Sequence, residues 1–116
     1  MSRSESPQDV SVVLVTAPDD AVAARIARAL VDERLAACVS LVPGVRSVYR
    51  WEGAVEDATE VLLIAKTAAA RVEALARRVS EIHPYDLPET LALPASRSRQ
   101  AAAPSKKERK NVPELG

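Results

Sequence analysis

Val10 to Thr16 (VSVVLVT) carries apolar residues on both parities, the pattern of a strand buried on two faces. Ala17-Pro18-Asp19-Asp20 stops it. The two acids suit a helix N-cap and first turn, where free amides and the macrodipole favour negative oxygen. From Asp20 to Arg34 the apolar Val22, Ile26, Ala29 and Leu30 return at helical spacing, with Arg25, Arg28 and Asp32 elsewhere. Ala37 to Val42 predicts a second strand. Pro43 then removes a ladder donor and Gly44 permits a positive φ, so a bulge or bend is expected before the strand resumes over Val45 to Trp51. On that outer half Val45, Ser47, Tyr49 and Trp51 share one face, and Arg46, Val48 and Arg50 the other. Glu52-Gly53 turns the chain, and a third strand is expected from about Thr59 to Thr67, antiparallel to the second.

Ala68 to Ile82 holds the clearest helical stripe, with Val72, Leu75, Ala76, Val79 and Ile82 opposite Arg71, Arg77, Arg78 and Glu81. Pro84 ends it, because the residue before a proline avoids the α region. Tyr85 to Pro88 reads as loop, and Glu89 to Leu93 as a short fourth strand. The order is β-α-β-β-α-β. It predicts an α+β, ferredoxin-like split βαβ fold, with two helices on one face of a four-stranded antiparallel sheet. The strands are apolar on their second face too, which predicts a partner surface and oligomerisation.

Composition narrows the classes. The chain of 116 residues fits one domain, has no Phe, and must build its core from Val, Leu, Ile and Ala. No apolar run spans a bilayer, and Met1 to Gln8 lacks the apolar region of a secretory signal. The single Cys38 cannot form an internal disulfide, which fits a reducing cytoplasm. Net charge is zero but uneven: six basic and two acidic residues from Ala95 onward leave +4 there and −4 on the rest. A basic end of this kind reads as a nucleic-acid or membrane arm, or as a solvated disordered tail; the second is the expectation, with no nucleic-acid or membrane partner. The chain divides into a flexible N-terminus at 1–9, a folded domain at 10–94 and a basic tail at 95–116.

The motifs then resemble a known family. Val15-Thr16-Ala17-Pro18-Asp19, Glu33-Arg34-Leu35-Ala36-Ala37-Cys38-Val39, Pro43-Gly44, Tyr49-x-Trp51-Glu52-Gly53, Glu60-Val61, Lys66-Thr67 and His83-Pro84-Tyr85-x-x-Pro88-Glu89 are similar to those of CutA, the divalent-cation tolerance proteins. The resemblance runs in order from Val10 to Pro94. It implies a tight homotrimer built by strand pairing between subunits, a cytoplasmic home, and association with copper or other divalent metals. It also implies a role in the response to metal ions. The family's trimer resembles that of PII-type signalling proteins, so the alternative is a trimeric adaptor binding a small ligand or partner protein between subunits. After Pro94 the sequence departs from the family's aromatic segment and final helix.

Candidate chemistry follows from the same motifs. In copper-binding members the proposed ligands are a Cys and a His pair, which fall on Val15, Ile82 and His83 of this chain; only His83 keeps a donor. His83 is therefore the first metal candidate, against a reading as a helix C-terminal residue that suits the dipole. Cys38 is the second, a soft copper(I) ligand or a small buried hydrophobe. Tyr49, Trp51, Glu52, Lys66, Tyr85 and Glu89 are the candidate trimer and cleft residues. Lys66 is expected to pair with Glu52, Glu60 or Glu89, and Asp86 and Glu89 lie near His83 in sequence as a weakly specified acid–base or mixed nitrogen–oxygen metal set. There is no phosphate-cradling Gly loop, nucleophile elbow, paired-cysteine zinc pattern or His-Glu-x-x-His, and no enzyme activity or required cofactor is expected.

Overall fold

A computed structural model describes residues 9–85 and 88–95. Strand β1 (Val10–Ala17) alternates strictly between half-buried and buried positions. Helix α1 (Asp20–Asp32) follows, its N-terminus capped by the Asp19 carboxylate, which accepts from the Val22 amide at 2.9 Å. The helix stops two residues before the expected Arg34, because Arg34 turns to φ 62 and the chain leaves the helical path.

Strands β2 (Cys38–Trp51) and β3 (Ala54–Ala68) form one long hairpin. Strand β3 begins at Ala54, not near Thr59. The reason lies in the turn, where Glu52 and Gly53 both take positive φ, 50 and 83, so the two-residue connection pairs Trp51 directly with Ala54. The expected break at Pro43-Gly44 is a bulge: pairing shifts between Val42 and Val45, with Gly44 at φ 75. One extra residue exchanges the faces of β2. Cys38, Ser40 and Val42 lie opposite Lys66, Ile64 and Leu62, whereas beyond the bulge Val45, Tyr49 and Trp51 lie opposite Glu60, Glu56 and Ala54.

The second helical segment starts as a 3-10 turn, Ala69–Arg71, before helix α2 (Val72–Ile82). Strand β4 (Thr90–Pro94) closes the sheet in the order β2-β3-β1-β4, antiparallel throughout. The helix-covered face holds Val13 and Val15 of β1, Leu63 and Ala65 of β3, Ile26 and Leu30 of α1, and Leu75 and Val79 of α2. Each of these side chains is essentially sealed from water. An aliphatic core of this kind is stabilised by close packing, at about 1.5–3 kcal/mol per buried large side chain.

The opposite face is uncovered in the single chain. One row runs Ser40, Ile64, Leu14, Leu91, and the next Cys38, Lys66, Val12, Leu93. Leu91 and Leu93 on one edge strand are 52% and 45% exposed, and Val42 on the other edge strand is also open to solvent. The outer hairpin adds Val48, Tyr49, Trp51 and Val55 to the exposed apolar surface. Its one charged tie among the described residues is Arg46 to Asp57, a two-pronged contact at 2.9 and 2.6 Å that sits in solvent.

Candidate functional site

Helix α2 ends where the sequence requires, with His83 as its extended C-cap residue donating its amide to Val79 at 2.8 Å. The imidazole is buried and reaches the backbone of β1: Nε2 lies 2.7 Å from the Thr16 carbonyl oxygen. Thr16 sits one residue beyond the last β1–β4 pair, Val15 with Thr90, so the ring meets the carbonyl where the strand ladder has ended. On the other side the Tyr85 amide donates to Nδ1 at 3.1 Å. A carbonyl can only accept and an amide can only donate, so the ring is the neutral tautomer with its proton on Nε2.

Tyr85 continues the network. Its ring tilts against His83 with centroids 4.7 Å apart, and its hydroxyl donates to Glu60 Oε2 at 3.0 Å. Partial burial, then the bond to Glu60, hold the Tyr85 hydroxyl above the ordinary phenol range; the Glu60 charge, Tyr49 and Asp19 add to the effect. His83, Tyr85 and Glu60 thus meet at one end of the sheet, with Tyr49 and Asp19 close enough to be felt. The sequence offers Glu60 only as a motif residue and a partner for Lys66, and Thr16 only within the Val15 to Asp19 motif; neither reads there as a partner of Tyr85 or His83. The available signal for Glu60 was an acid at the head of the apolar run Val61-Leu62-Leu63-Ile64, on the sheet face away from the helices.

Other candidates stand apart. Cys38 is half-buried at the head of β2 on the uncovered face, so it is not sealed in the core. Its row, Cys38-Lys66-Val12, is four residues from the Leu62-Thr16 row, roughly 13 Å along the strands alone. One metal ion cannot bridge Cys38 and His83 within a chain. Val15 is sealed against the helices and Ile82 packs on the core, so the two remaining copper positions offer only hydrocarbon. Among the described residues no three His, Cys, Asp or Glu side chains gather as metal ligands. The residues present do not make a copper site inside one chain.

Lys66 is exposed and makes no ion pair with Glu52, Glu60 or Glu89; the ion pairs among the described residues are Arg46–Asp57, Arg78–Glu33 and Arg78–Glu81. Glu52 occupies the hairpin turn, Trp51 beside it is exposed, and Glu89 is exposed just before β4. Asp86 and residues 96–116 of the basic tail lie outside the described residues.

Comparison with known proteins agrees with this fold. A family model described as CutA1 divalent ion tolerance protein matches residues 11–103, continuing past Pro94. The divalent-cation tolerance protein CutA of Pectobacterium atrosepticum is 50% identical over 88 residues, 76% of this chain and 80% of that protein. A chloroplastic CutA of Arabidopsis thaliana is 45% identical over 94 residues, 81% of this chain and 52% of that protein. The solved structure of the divalent cation tolerance protein from Thermus thermophilus superposes with a TM-score of 0.76 at 48% identity, over 79% of this chain and 89% of that one.

Proposed function

The chain belongs to the CutA1 divalent ion tolerance family, and we propose on that premise that it serves divalent-cation tolerance as a non-enzymatic homotrimer. The observation that carries this reading is the uncovered apolar sheet face, centred on Leu14, Ile64 and Leu91. An apolar surface of this breadth, flanked by a protruding hairpin with exposed Tyr49 and Trp51, calls for further copies of the chain. Edge strands β2 and β4 are free to pair across copies.

Metal handling is the second part of the proposal. Within one chain His83 and Cys38 are separate single donors, so a copper contact needs further donors from another copy. At His83 it must also displace the Tyr85 amide from Nδ1. The cytoplasm is the proposed compartment; no helix among the described residues is long and apolar enough to cross a membrane. The test is the mass of the full chain in solution, followed by titration with copper(II) and copper(I). A mass three times the 12.4 kDa of one chain supports the assembly, and a monomer overturns it. Copper binding that is unchanged in both His83→Ala and Cys38→Ala removes these two residues from the proposal.

A further inference from the structure

At the end of the sheet away from His83, the end of α1, the start of β2 and the end of β3 border an open cleft of about 550 Å³. Arg34 and Arg71 line it, together with Asp32 and the small residues Ala36, Ala37 and Ala68. Neither guanidinium makes a hydrogen bond or ion pair with any described residue, and Asp32 pairs with neither.

Arg34 is placed here at a cost. It holds φ 62 as the residue just past the α1 cap, a conformation glycine adopts freely and an L side chain adopts against its preference. The helix end does not need its charge. Glu33 donates its amide to Ala29, Arg34 to Val31, and both Leu35 and Ala36 to Leu30, so these carbonyls are already satisfied. The segment that follows is fixed as well: the Thr67 hydroxyl donates to the Leu35 carbonyl at 2.7 Å, and the Ala37 amide to Lys66 at 2.8 Å. A strained arginine on a braced backbone, lining the same cleft as a second unpaired arginine, offers two fork-shaped donors at one site.

We propose that this cleft binds the oxyanion group of a small metabolite, a carboxylate or phosphate held between Arg34 and Arg71. Asp32 accepts from a hydroxyl or amine on the same ligand. Two guanidiniums match such oxygens in bidentate fashion, and the cleft is wide enough for a group larger than a bare ion. This goes beyond cation tolerance, because the ligand has the opposite charge and lies at the opposite end of the sheet.

The test is an amide-shift titration of isotope-labelled full chain with inorganic phosphate, acetate and citrate, each at constant ionic strength. Saturable shifts at Arg34, Ala37 and Ala68 are expected, and the anion giving the tightest fit separates phosphate from carboxylate. Arg71→Gln and Arg34→Gly are each expected to weaken binding about tenfold. Arg34→Gly keeps the turn that glycine prefers, so its loss of binding cannot be assigned to unfolding. Absence of saturable shifts at these amides with all three anions overturns the proposal. So does equal affinity in wild type and both variants, which would place the anions elsewhere on the chain.

Discussion

The imidazole of His83 donates from Nε2 to the carbonyl oxygen of Thr16 at 2.7 Å, joining the end of α2 to β1 across 67 positions of sequence. Its other nitrogen accepts from the Tyr85 amide, so one ring supports two backbone groups. His83→Ala leaves both short of a partner. We expect a loss of about 1–3 kcal/mol in urea unfolding. An unchanged midpoint would mean that water replaces the ring at no cost.

The bond from Tyr85 to Glu60 has a spectroscopic consequence. Tyr85 should ionise above the usual phenol range near about 10, and Glu60→Gln should move it part of the way down, since burial remains. Ultraviolet titration of wild type, Tyr85→Phe and Glu60→Gln measures this with only Tyr49 as a second phenol. Because the folded value is raised, the stability linked to Tyr85 is present below the unfolded phenol value and is lost as pH rises through the folded one. A Tyr85 component that titrates identically in wild type and Glu60→Gln contradicts the assignment.

Arg34 supplies a prediction of opposite sign from most substitutions. Arg34→Gly should stabilise the chain by about 0.5–1 kcal/mol, because glycine takes a positive φ without steric strain. Thermal or urea unfolding checks it. A destabilised variant would show that the arginine side chain packs more usefully than its exposed position indicates.

Gly44 carries the bulge at φ 75, and no atom lies within 4 Å of where a side chain would start. The cost of Gly44→Ala is therefore conformational, about 1–2 kcal/mol. Deleting Pro43 acts differently. It removes the extra residue and turns Tyr49 and Trp51 to the other face, so the expected outcome is loss of assembly with the helices retained. Circular dichroism with a mass measurement separates the two effects.

On the uncovered face, Ile64 stands between Ser40 and Leu14. Ile64→Glu would place an unpaired carboxylate in the proposed interface at a cost of several kcal/mol. The expected result in sedimentation is a monomer whose circular dichroism is unchanged. An oligomer of wild-type mass would show that this face does not form the contact.

Period alone carried most of the fold. The alternation of β1, the stripe of α2, and Pro84 as its stop depend on neighbours within a few residues, which is the range over which backbone geometry acts. The same holds for the Pro43-Gly44 bulge, since a missing donor and a permitted positive φ are local properties. The start of β3 was less visible, because Ala54 to Ala58 has Val55 as its one β-branched residue beside two acids, and is held in the ladder by the two-residue turn at Glu52-Gly53.

The site divides along the same line. That His83 caps a helix and that Val15 and Ile82 lack copper donors could be read from the residues. That the ring seeks Thr16, that Tyr85 reaches Glu60, and that Cys38 lies far from His83 on an open face were set by the sheet register. Lys66 makes the point most plainly: its sequence offered three acids as partners, and the register puts it instead between Cys38 and Val12. Sequence determines which chemistry a chain carries and which local conformations it can hold. Which groups meet is decided by strand pairing, because one residue of register moves a side chain to the other face of the sheet.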